Sequence, residues 1–261
     1  EENVLKKGRI EQSQRKQERK VGIEEKIKNL FPKDSIDSST VLVLVNAIYF
    51  KGQWHQKFKE ENTVKEKFWL SKDTSKSVQM MKETNTFNFT SLEDMQVKIL
   101  EIPYKGEELS MMLLLPNEVD GLQKVKPYKL TAEKLLEWTS SQNMWKSQVD
   151  LHLPRFKVEE TYDLKAILVA LGVVDAFNSQ KADFSGMTRK NNLVVSKALH
   201  KSFVEVNEEG TEAAAATGII VVTKSLPVPH YEHFHCDHPF LFFIRHNKTN
   251  TILFLGRVSS P

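Results

Sequence analysis

Apolar residues in this chain recur in short runs separated by charged and turn-forming positions. Val41 to Phe50, reading VLVLVNAIYF, is apolar except at Asn46, which predicts a strand covered on both faces and a buried amide there that needs partners. Met111 to Leu115 and Leu241 to Ile244 are shorter apolar runs suited to central strands. Thr131 to Trp138, TAEKLLEW, joins a threonine cap and early acidic positions to apolar Leu135, Leu136 and Trp138, predicting an amphipathic helix. Tyr162 to Leu171 predicts a second helix, ended by Gly172. Together these elements imply a mixed, strand-rich α+β fold.

One stretch follows neither period. From Phe203 to Leu226 the chain reads FVEVNEEGTEAAAATGIIVVTKSL, opening as an alternating strand. Asn207, Glu208, Glu209 and Gly210 interrupt it, because the charges solvate and glycine permits unusual backbone angles. Four alanines, Ala213 to Ala216, favour helix, whereas the run from Ile219 to Thr223 favours strand. No large side chain and no proline before Pro227 opposes insertion into a ladder. Such a segment suits a loop in one state and a strand in another. A low-complexity linker, or a helix start capped by Thr211, is the plainer reading of the same residues.

The order Glu208, Glu209, Gly210, Thr211, Ala213, Ala214, Ala215, Ala216, Thr217 resembles the hinge of the reactive-centre loop in serpins, the suicide inhibitors of proteases. Three further blocks resemble serpin signatures in that family's order. They are VLVLVNAIYFKGQW ending at Trp54, LHLPRFKVEETYDL from Leu151 to Leu164, and the run from Cys236 to Arg257 containing HPFLFFIR and TILFLGR. The resemblance extends from Val21 to Pro261 and is strongest to the intracellular ov-serpin group, clade B, of the squamous cell carcinoma antigen and headpin type.

The resemblance implies a serpin fold, with large mixed sheets, surrounding helices and an exposed loop over about 208–228. It places the reactive bond between Lys224 and Ser225, and a lysine there suits a trypsin-like serine protease. A cut one or two residues away would favour elastase-like or cathepsin-like targets, and papain-like cysteine proteases are the lesser alternative. Asn46 and His200 are expected to meet at the shutter of the main sheet, and Arg155 and Glu208 to pair at the breach near Trp54. The plain alternatives are two satisfied core polar groups and an exposed ion pair. Serpins carry about a third more chain before Val21, so residues 21–261 read as a partial, N-terminally truncated serpin domain. Residues 1–20 match nothing that usually precedes it. A non-inhibitory binding protein or an inactive truncated isoform is therefore the competing function.

Composition narrows the remaining classes. The net charge of +3 is small and dispersed, which argues against nucleic acid. Only Lys6 to Lys20 is densely basic, and it reads as a solvated arm. No apolar run reaches membrane-spanning length, no signal-peptide core is evident, and the single cysteine, Cys236, fits a reducing compartment. These features imply a cytoplasmic monomer whose Asn88 and Asn247 glycosylation patterns go unused. No nucleophile, dinucleotide or metalloprotease motif points to an enzyme. The densest cluster is His230, His233, His235, Cys236 and His238, whose spacing matches no established zinc pattern, so neither metal nor cofactor is assigned.

Overall fold

The computed structural model of the protein describes residues 31, 36–37, 39–125, 130–188, 193–209 and 231–261. By backbone contacts the chain divides into two units, one comprising Glu1–Phe50 with Val158–Val204, the other Lys51–Lys157 with Glu205–Pro261.

The first unit is built on a three-stranded sheet ordered β1-β8-β7, where β1 is Leu42–Phe50, β7 is Phe156–Asp163 and β8 is Val195–Val206. The β-branched run of β1 pairs in parallel with β8, Val45 opposite Leu199 and Asn46 opposite His200. The expectation that β1 is covered on both faces is corrected here. Leu44 is 46% exposed and Ile48 is also exposed, because both lie on one face of a strand that ends the sheet order among the described residues. The helix expected from Tyr162 is shorter, Lys165–Ala170, and Tyr162 and Asp163 instead finish β7. Asp163 accepts the Lys165 amide at 3.0 Å, and the Leu164 amide donates to the Ala198 carbonyl at 2.7 Å, so the helix cannot begin earlier. Gly172 closes it at φ +96, as its position predicted.

The second unit holds an eight-stranded sheet ordered β11-β10-β5-β4-β3-β6-β9, with β2 pairing β3 off that path. The strands are β2 (Val64–Trp69), β3 (Ser75–Leu92), β4 (Val97–Pro103), β5 (Leu109–Pro116), β6 (Trp145–Pro154), β9 (Glu232–His235), β10 (Phe240–His246) and β11 (Thr251–Val258). The runs Met111 to Leu115 and Leu241 to Ile244 fall in β5 and β10, adjacent inner strands. The predicted amphipathic helix is Ala132–Trp138, with the Thr131 hydroxyl accepting the Lys134 amide. It buries Leu135 against Val97, Ile99, Met112, Leu114 and Phe243 of β4, β5 and β10. Its C-terminus is held by Arg245 of β10, whose guanidinium donates to the Thr139 carbonyl at 2.9 Å and hydroxyl at 3.2 Å.

Candidate functional site

The end of β8 and the three residues after it carry a polar cluster of the second unit. Trp54 is 3% exposed and stacks on Tyr104, ring centroids 4.6 Å apart at 8°, while Phe58 meets it edge-on. Its indole Nε1 donates to the Asn207 carbonyl at 2.8 Å, so an apolar shelf fixes the backbone where β8 has just ended. One residue on, the Glu208 side chain is also 3% exposed. Arg155 sits in the one-residue joint between β6 and β7, its amide donating to the Gln79 carbonyl at 2.8 Å. From there its Nε reaches both Glu208 oxygens, at 2.6 and 2.7 Å, and the Thr63 hydroxyl donates to the same carboxylate. Burial alone pushes the Glu208 carboxyl up, but the Thr63 and Arg155 bonds outweigh it and hold the group below the usual glutamate range.

The expected companionship of Trp54, Arg155 and Glu208 is thus present. Thr63 was missed, and no local signal could have found it, since it lies 145 positions from Glu208 and sits in an unremarkable polar stretch. Glu209 is exposed, its amide donating to the Asn207 side chain at 3.2 Å. In the first unit Asn46 and His200 are register partners in β1 and β8. Among the described residues no hydrogen bond joins their side chains, and Asn46 is exposed, which corrects the expectation of a buried amide there. His200 instead stacks on Tyr162, centroids 6.2 Å apart. Gly210, Thr211, Ala213 to Ala216, Thr217, Lys224, Ser225 and His230 lie outside the described residues, as does the basic stretch Lys6 to Lys20.

The serpin profile, described as "Serpin (serine protease inhibitor)", matches residues 18–261. This chain belongs to the serpin family. Among curated relatives it is 66% identical to Serpin B4 and 61% identical to Serpin B13, both of Homo sapiens, each over 91% of this chain. It is 52% identical to the leukocyte elastase inhibitor of Equus caballus over 91% of this chain. The serpin spans about 60% of the length of these relatives, 60% of Serpin B4 and Serpin B13 and 63% of the elastase inhibitor. In the crystal structure of uncleaved ovalbumin the match has a TM-score of 0.78 at 41% identity, covering 90% of this chain and 58% of that one. A maspin structure matches at TM-score 0.76 and 36% identity, over 91% and 62% of the two chains. The clade B resemblance and the α+β serpin fold therefore stand.

The remaining candidates of this serpin resolve differently. Asn88 and Asn247 spend their amide nitrogens on Glu101 at 2.9 Å and on the Glu107 carbonyl and Ser110 hydroxyl at 2.8 Å. His238 is buried, with Nε2 donating to the Pro116 carbonyl and Nδ1 lying 2.7 Å from Asp237. Cys236 is a fully buried free thiol, pushed well up by burial and by the Asp237 charge. His233 and His235 are more exposed and converge on Asp150, Nδ1 of the first at 3.4 Å and Nε2 of the second at 3.1 Å from its Oδ2. Among the described residues no helix is long and apolar enough to cross a membrane.

Proposed function

We propose that the serpin inhibits a trypsin-like serine protease as a suicide substrate, cut between Lys224 and Ser225. The observation that carries this reading is the grip on Asn207 and Glu208. Trp54, Thr63 and Arg155 fix the chain immediately before Gly210, where a loop entering the sheet must turn, and so give the small-residue hinge a rigid origin. The protease serine attacks the Lys224 carbonyl, the bond to Ser225 breaks, and an acyl-enzyme forms. The freed strand then adds to the sheet, a step serpins are known for. Fourteen steps from Gly210 to Lys224 at about 3.3 Å each give roughly 46 Å of travel for the tethered enzyme. Alanines favour fast entry because they lose little rotamer entropy.

The test is incubation with trypsin followed by a denaturing gel and sequencing of the released peptide. A covalent band together with a peptide beginning at Ser225 supports the reading. Cleavage at Ser225 without a band supports the second reading, a serpin-fold binding protein or inactive form with the loop as bait. That alternative is favoured by β1 ending its sheet among the described residues. A peptide starting elsewhere moves the reactive bond and with it the protease class, cathepsin-like cysteine proteases included.

A further inference from the structure

The parallel pairing of β6 with β9 places Asp150 opposite His233 and His152 opposite His235. Residues two apart on a strand share a face, so the pairs Asp150/His152 and His233/His235 form a block of four on one face of the sheet. One nitrogen of each imidazole faces the Asp150 carboxylate. Asp150 Oδ2 faces His233 Nδ1 at 3.4 Å and His235 Nε2 at 3.1 Å, and these three ligand atoms lie within 4.8 Å of one another. Asp150 Oδ1 faces His152 Nε2 at 3.5 Å, and His152 Nδ1 faces Glu66 at 3.5 Å. The imidazoles of His152 and His235 stack face to face, 3.8 Å apart at 12°.

We infer that this block is a zinc site, with His233 Nδ1, His235 Nε2 and Asp150 Oδ2 as protein ligands and water in the fourth position. Two imidazoles and a carboxylate form a donor set that zinc accepts in tetrahedral geometry. Bonds of about 2.0–2.1 Å put tetrahedral ligand atoms roughly 3.3 Å apart. The Asp150 edges, 3.4 and 3.1 Å, already fit, so binding requires only that the two histidine nitrogens close towards each other. Imidazole ligands disfavour magnesium and calcium, and the absence of a thiolate from the block disfavours cuprous ion. His152 supports Asp150 through its second oxygen, and Glu66, itself ion-paired with Lys82, orients His152 from behind. His233 is 69% and His235 39% exposed at the side chain, which leaves a solvent route for the ion. A plain ion-pair cluster accounts less well for the block, since one carboxylate faces three imidazoles and two of those stack.

The full chain, stripped with EDTA and dialysed, is titrated with zinc chloride in a calorimeter near neutral pH. The expected result is one zinc ion bound per chain, with cobalt(II) at the same site giving the visible absorption of a four-coordinate ion. Glu66→Gln weakens binding about tenfold, acting through His152. His233→Ala and His235→Ala weaken it more, and the double variant removes it. Both residues are exposed enough for these variants to stay folded. His246→Ala, at the end of β10 with its ring bonded to Thr249 in the turn that follows, leaves binding unchanged. Absence of saturable zinc binding overturns the proposal, as does undiminished binding in the His233/His235 double variant.

Discussion

At the Arg155–Glu208 contact, geometry fixes both the sign and the pH window of an effect. The Glu208 carboxyl is held below its usual value near 4.5 despite burial, by Thr63 and Arg155. Its stabilisation is therefore fully present above that ordinary value and is lost as pH falls through the lower folded one. Urea midpoints measured from neutral pH down to pH about 3 should show this loss, and Glu208→Gln should flatten the slope. Arg155→Ala leaves a buried carboxylate with the Thr63 hydroxyl and its own backbone amide but no cation, an expected cost of about 1–2 kcal/mol because the arginine is itself partly exposed. Gly256 of β11 is a second fixed point. A Cβ there would come 2.6 Å from the Phe242 ring, which is buried in β10. Gly256→Ala should lower stability by about 1–3 kcal/mol through overpacking, and unchanged thermal unfolding would contradict this.

Among elements, the reading of β5, β10 and the helix Ala132–Trp138 from sequence succeeded because each carries its environment in its own residues. An unbroken apolar run implies two covered faces, and Thr131 marks a helix start. The same rule overreached at β1, whose apolar run matches β5 in kind although Leu44 and Ile48 are exposed. Burial depends on what packs against a strand, and that partner is not written in the strand. Register is equally silent, which is why Asp150 and His152 could not be joined to the histidines after Tyr231, nor Thr63 to Glu208. The proposed hinge has the opposite character, since its small residues suggest insertion before any pairing is known. On the proposed mechanism, Thr211→Arg and Ala215→Glu would each carry a charge into the sheet and should convert the serpin from inhibitor to substrate. Covalent-complex yield on a denaturing gel measures this, and an undiminished yield in either variant would contradict it.

For the whole molecule, the exposed face of β1 bears on solution behaviour. A strand that ends its sheet among the described residues, with Leu44 and Ile48 exposed, offers an edge on which copies would associate. Leu44→Lys with Ile48→Lys should lower the associated fraction seen by size exclusion with light scattering, at little cost in unfolding temperature. Greater association in the double variant would show that another surface is responsible. The burial of Cys236 has a consequence of its own. Its amide donates to the His152 carbonyl at 2.9 Å just after β9, and it is the single cysteine of the chain. A thiol so placed reacts with a maleimide only after the end of β9 lifts from β6. The rate of its modification is thus a clock built into the sequence, timing without any added label how often that edge of the sheet opens.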